Sequence, residues 1–185
     1  MYNLVKKRNY EMIQVDQGDI YSDINFLKNI DIVEDELEIE ECNFKKVLVL
    51  SQSCDLHREQ ENEETEILTV LVVPLFEIET FKRGEHLINI GKKCNEVGKK
   101  LIERYATGEH ERYHVINIKE EDKIAFGIPD DYIIDFRFFF TADIKQFKKE
   151  KYVTSLEALF REKVTQRFSN YLSRIGLPIV ADEIK

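Results

Sequence analysis

Lys46-Val47-Leu48-Val49-Leu50-Ser51-Gln52-Ser53-Cys54-Asp55-Leu56-His57 is the stretch on which the reading of this chain turns. Val47 to Leu50 carries apolar side chains on both faces, the pattern of a central strand buried on two sides. It runs directly into Ser51, Gln52, Ser53, Cys54, Asp55 and His57. A buried strand that ends in reactive side chains holds them rigidly at the rim of a sheet.

Downstream, Arg58-Glu59-Gln60-Glu61-Asn62-Glu63-Glu64-Thr65 reads as a charged loop, and Ile67 to Val73 as a second apolar strand stopped by Pro74. Two such strands joined by a polar loop are expected as neighbours in one sheet. Upstream, residues 31–41 hold seven acidic groups: Asp31, Glu34, Asp35, Glu36, Glu38, Glu40 and Glu41. Leu37 and Ile39 alternate with Glu36, Glu38 and Glu40, which predicts a strand with one wet face. That acidic face reads as solvation; the functional alternatives are docking to a basic partner or repulsion of nucleic acid. Met12 to Val15 reads as a short strand, and Gln17-Gly18-Asp19-Ile20-Tyr21 as a turn into the next extended piece.

Beyond Pro74 the period changes. Leu87, Ile90, Cys94, Val97, Leu101 and Tyr105 recur at steps of three and four, predicting a helix over 87–107 that Gly108 stops. Gly91 and Gly98 lie beside the stripe and each costs about 1 kcal/mol relative to Ala, so the part before Asn95 is expected to fray or bend. Residues 112–118 and 132–141 return to strand patterning. In the latter Tyr132, Ile134, Phe136, Phe138 and Phe140 share one face, with Ile133, Asp135, Arg137, Phe139 and Thr141 opposite. Thr154 and Glu157 form a capping box, opening a helix striped by Leu156, Leu159, Phe160, Val164, Phe168, Tyr171, Leu172 and Ile175 and ended by Gly176 and Pro178. Lys163, Arg167 and Arg174 make a basic edge along it, read as solvated or as facing a phosphate or partner.

A chain of 185 residues, 43% hydrophobic and 34% charged, fits one domain with a real core. No apolar run is long enough for a transmembrane helix. Lys6, Lys7 and Arg8 are followed by no apolar segment, so no signal peptide is expected. Three cysteines without paired spacing suit a reducing, cytoplasmic setting. A net charge of −9 excludes a uniformly basic nucleic-acid surface and disfavours RNA as a partner.

The order Gly18-Asp19-Ile20, then Val47-Leu48-Val49-Leu50-Ser51, then Val70-Leu71-Val72-Val73-Pro74-Leu75 resembles the MazF/PemK-like toxin family over roughly residues 17–76. The resemblance implies a small SH3-like β-barrel, RNA cleavage in many members, and homodimers. Two departures remove that family's usual ribonuclease constellation. Lys45-Lys46 stands where members carry Arg-Pro, and Leu75-Phe76 stands where they carry a Ser or Thr. Ser51-Gln52-Ser53-Cys54-Asp55 resembles the signature of a divergent bacterial group, associated by analogy with toxin–antitoxin and anti-phage loci.

Three chemistries remain open. Cys54 is a nucleophile if His57 or His114 lowers its thiol pKa and Asp55 orients the base, or else a packed side chain with Asp55 capping a turn. Cys54-x-x-His57 with His110-x-x-x-His114 has zinc-ligand spacing if the pairs converge. Metal-independent RNA cleavage needs a cation beside an acid–base pair, for which Arg112, His114 and Arg137 qualify if they face Ser51 and Ser53.

The expectation is therefore a mainly β (α+β) chain over 1–185: an SH3-like barrel spanning 1–150, a helical insertion at 87–107, and an amphipathic helix at 154–175 packed on the barrel. The expected function is a protein-interaction subunit of a toxin–antitoxin or anti-phage assembly. A divergent endoribonuclease and a Cys54-dependent hydrolase or transferase are the alternatives, so whether the chain is an enzyme stays open. The candidate site residues are Ser51, Ser53, Cys54, Asp55, His57, Arg112, His114 and Arg137. No cofactor or metal is assigned, and the expected partners are proteins, with a homodimer possible and no membrane.

Overall fold

In the computed structural model residues 14–33, 36–60 and 69–174 are described, apart from the side chains at 33 and 57–60. The turn at Gln17-Gly18 starts the first strand. Gly18 adopts φ +85°, donates its N–H to the Val49 carbonyl and accepts from Leu156 N–H at 2.8 Å. A Cβ there would sit 2.7 Å from the Cβ of Arg161, so only glycine fits. Asp19 closes the turn by accepting from Asp16 N–H at 2.9 Å.

Strands β1 (Asp19–Val33) and β2 (Glu36–Val49) form one long antiparallel hairpin. β3 (Thr69–Pro74) adds beside β2, pairing Leu48 with Val73 and Val49 with Val72. Two short strands, β4 (Phe76–Glu77) and β5 (Tyr113–Ile116), flank β6 (Tyr132–Asp135) in a second sheet of order β4-β6-β5. β7 (Phe140–Asp143) and β8 (Tyr152–Ser155) are the edges of the first sheet, of order β7-β3-β2-β1-β8. All pairings are antiparallel. Among the described residues five α-helices accompany the sheets: α1 (Ser53–Gln60), α2 (Ile78–Lys82), α3 (Lys99–Thr107), α4 (Glu120–Phe126) and α5 (Ala158–Leu172). The architecture is α+β with two antiparallel sheets, and among the described residues no strand pairing closes either sheet.

Val47 to Leu50 is the buried central strand expected of it. Alternation sends Val47 and Val49 into one apolar cluster with Tyr21, Val70 and Val72. Leu48 and Leu50 enter a second cluster with Val73, Ile134 and Phe136. α5 covers the second cluster through Val164 and Phe168, and Phe168 meets the Phe136 ring at 5.6 Å.

Five expected elements differ. The stripe over 87–107 is not one helix: a short 3-10 turn at Ile88–Ile90 ends on Gly91 at φ +74°, and α3 starts only after Gly98. Between them backbone bonds hold the chain extended, Cys94 N–H to Gly84 O and Val97 N–H to Lys82 O. Residues 132–141 are interrupted by a 3-10 turn at Phe136–Phe138, because the Asp135 carboxylate accepts from Arg137 N–H and caps it. Thr154 is no helix cap; it is buried within β8, and α5 opens three residues later with Glu157 at its N-cap. Gln14 and Val15 lie outside any strand. Met12, Ile13, residues 61–68, Ile175, Gly176 and Pro178 lie outside the described residues. Arg58, Glu59 and Gln60, expected in the charged loop, instead end α1, the helix that Gln52 O starts. α2 and α4 carry no sequence expectation; their short lengths leave too few turns for a readable stripe.

Candidate functional site

The Ser-Gln-Ser-Cys-Asp turn is built as a clip. Leu50 N–H bonds to Leu71 O at 2.8 Å, and Ser51 Oγ accepts from Leu71 N–H at 2.8 Å. Ser53 Oγ accepts from Gln17 N–H at 3.1 Å, and Gln17 Nε2 reaches Thr165 Oγ1 on α5 at 2.7 Å. Both serines thus tie β2, β3, the Gly18 turn and α5 together. Gln52 O starts α1 by accepting from Asp55 and Leu56 N–H. Cys54 is exposed, its Sγ 3.6 Å from Gln52 Oε1 and 3.6 Å from Asp55 Oδ1. His57 lies within α1, its side chain outside the described residues.

The other candidates cluster at one end of the second sheet: Arg112 just before β5, His114 on it, and Arg137 in the turn after β6. Asp135 is fully buried and binds two guanidiniums at once. Arg112 is bidentate to it at 2.9 and 2.7 Å, and Arg137 Nη2 reaches it at 2.9 Å. Arg112 lies over the Tyr113 ring and Arg137 over Phe138. Burial drives the Asp135 carboxyl up to about 6, against the opposing pull of Arg112. Bonding to Asp135 raises the Arg112 pKa in turn, against a desolvation that lowers it. With two guanidiniums and the Arg137 N–H on one carboxyl, we take the charged pair as its state at neutral pH. Both arginines are therefore committed within the fold.

His114, on β5, is 4% exposed, and burial lowers its pKa to about 3, with Arg167 and Lys163 adding to the shift. It is neutral at physiological pH. His110 is exposed before β5 begins, its ring against Tyr105 and Tyr113. Among the described residues no three His, Cys, Asp or Glu converge, so Cys54, His110 and His114 do not form one site. The basic edge of α5 is engaged as well. Arg167 donates to the carbonyls of Gly108, His110 and Tyr113, and Arg174 pairs with Glu111.

The surface that stands out was read from sequence as half-buried. β1 and β2 continue past the ends of their neighbours. β8 pairs only with Asp19 to Tyr21, and β3 only with Val47 to Val49. From Leu27 onward the hairpin is a free two-stranded ribbon, bulged at Lys28. Its register pairs Ile30 with Ile39 and Ile32 with Leu37, and between them Asp31 with Glu38. Cross-strand partners share a face. One face is therefore apolar and the other acidic, and residues 36–41 are all exposed. Leu37 and Ile39 do not face a core, as alternation suggested; Leu37 is 62% exposed and Ile32 75%. Five of the ten exposed large apolar side chains among the described residues are Leu27, Ile30, Ile32, Leu37 and Ile39. The acidic side carries a hollow of about 420 Å³ lined by Asn29, Asp31, Glu38, Ile39 and Glu40. The only described cation of the ribbon, Lys28, is held by Glu40.

No family model and no curated protein matches this chain.

Proposed function

We propose that this chain is a cytoplasmic protein-interaction subunit of a bacterial toxin–antitoxin or anti-phage defence assembly, docking through the β1–β2 ribbon. The ribbon's exposed apolar face carries the reading. At roughly 180 Å² for a whole Ile or Leu side chain, the five exposed groups present on the order of 500 Å², near the upper end for a monomer's largest patch. Such a patch, backed on the opposite face of a thin ribbon by a row of carboxylates, suits a partner that lays an apolar row on one face and reaches around the ribbon's edges with Lys and Arg. A second copy of the chain fits less well, because it brings two acidic ribbons together and leaves their charge uncompensated. The defence context and the divergent MazF/PemK-like, SH3-like barrel rest on the motif resemblance over residues 17–76.

The ribonuclease alternative has less support. Arg112 and Arg137 are spent on Asp135, His114 is buried and neutral, and Ser51 and Ser53 hold backbone N–H groups. For a thiol enzyme, exposed Cys54 is available, and His57, three positions on in α1, has its side chain outside the described residues.

The test is tagged chain isolated from its host, as wild type and as Ile30→Ser/Ile32→Ser/Leu37→Ser/Ile39→Ser. The expected result is a stoichiometric protein carried by wild type and lost by the variant, with unchanged circular dichroism. Reconstitution from purified components should reproduce the complex. A wild-type chain that stays monomeric with every component of its locus, and instead cleaves RNA in a His114- and Arg137-dependent manner, would overturn the reading.

A further inference from the structure

A separate hollow, of about 310 Å³, opens where the chain leaves the first sheet for the second. Leu75 N–H still bonds to Lys46 O on β2, and the next residue already begins β4. The walls come from both sides of this seam. Phe44, Leu75, Phe76 and Ile88 give apolar surface, and Lys45, Lys46, Thr80 and Tyr132 give polar groups. His86 also lines it, stacked on Phe81 at 4.3 Å and edge-on to Phe76 at 5.0 Å.

Two observations point to a ligand. Tyr132 is 1% exposed, and its hydroxyl has no hydrogen-bond partner among the described residues; the same holds for His86 Nδ1. A buried hydroxyl without a partner costs about 1–3 kcal/mol, so buried polar atoms are normally paired. The second is charge. Arg83 is engaged by Glu85 at 2.7 Å. Lys45 and Lys46 have no ion-pair partner among the described residues, with Glu77 the remaining carboxylate of the lining. The lining thus holds one more positive than negative charge in a chain of net −9. His86 adds no charge, since burial and Arg112 lower its pKa to about 4.

We propose that this seam cavity binds a small organic anion, a single planar ring bearing a carboxylate or phosphate. The ring lies against Phe76 and His86, the acid group meets Lys45 and Lys46, and an oxygen of the ligand accepts from Tyr132 Oη–H. The volume sits at the lower end of the ~300–1,000 Å³ of small-molecule sites, which suits one ring and excludes a dinucleotide. The site is distinct from the ribbon and stands whether or not the ribbon docks a protein.

Benzoate and phenyl phosphate are titrated into the isotopically labelled full chain and followed by amide chemical shifts, with benzamide (ring without charge) and acetate (charge without ring) in parallel. Saturable shifts confined to the lining residues are expected with one or both ring acids, and the tighter of the two identifies the head group. The two controls should not saturate over the same range. Tyr132→Phe should weaken binding about tenfold, as loss of a hydrogen bond to a charged group does. Lys45→Ala/Lys46→Ala, at one exposed and one half-buried position, should weaken it at least as much and decides the matter if Tyr132→Phe does not fold. No saturation with either ring acid, equal binding of benzamide, or binding indifferent to the lysine pair overturns the proposal.

Discussion

Acidification tests the environment of His114 directly. In the unfolded chain a histidine titrates near 6.5, while in the fold burial lowers His114 to about 3. Between those values the unfolded chain holds a proton that the folded chain does not. His114 therefore costs no stability above pH 6.5 and an increasing amount as pH falls toward 3. At ~pH 5, about 1.5 units below the unfolded value, the loss is about 2 kcal/mol at 1.36 kcal/mol per unit. The chain has no Trp, so urea unfolding is followed by far-ultraviolet circular dichroism. Wild type and His114→Gln are compared at neutral pH and at ~pH 5. The substitution carries its own pH-independent cost, but the difference between the two pH values should shrink by about 2 kcal/mol in the variant. His86, lowered to about 4, contributes in the same direction to both proteins and cancels. If the two proteins lose stability in parallel, His114 is not buried as a neutral imidazole. The acid–base group that the ribonuclease reading needs would then be restored.

Three further outcomes follow from single contacts. Asp135→Asn removes the carboxylate shared by Arg112 and Arg137 and should destabilise by about 1–3 kcal/mol, since both guanidiniums keep some access to water, measured as a lower urea midpoint. Gly18→Ala meets both a left-handed φ and the Arg161 Cβ, so its melting temperature should fall by several degrees, for a loss of about 1–3 kcal/mol. Among the described cysteines, exposed Cys54 should react with a thiol reagent well before buried Cys42, whose thiol burial pushes up; peptide mapping reads the order, and faster labelling of Cys42 would contradict it.

Pattern alone placed the centre of the fold. Four apolar residues in a row, Val47 to Leu50, need cover on both faces, and β1, β3 and the two apolar clusters supply it. The site was less legible, because a side chain's type does not reveal its partner. Ser51 and Ser53 look catalytic beside Cys54, yet each accepts from a backbone N–H brought by a distant segment, Leu71 and Gln17. Asp135 and Arg137 were readable as a pair at i and i+2, but Arg112, twenty-three positions away from Asp135, was not. The ribbon shows the same limit from the other side. Alternation separates Leu37 and Ile39 from Glu36, Glu38 and Glu40 but cannot say where the sheet stops. That is set by β3 and β8, which accompany the hairpin only near its base. Past their ends an apolar face has nothing to pack on within the described fold. A chain maintaining only a solvated arm would gain by making Ile30, Ile32, Leu37 and Ile39 polar, since exposed apolar side chains on a free ribbon invite edge and face aggregation. Their placement in register, opposite an acidic face, is the observation on which the proposed docking of a partner rests.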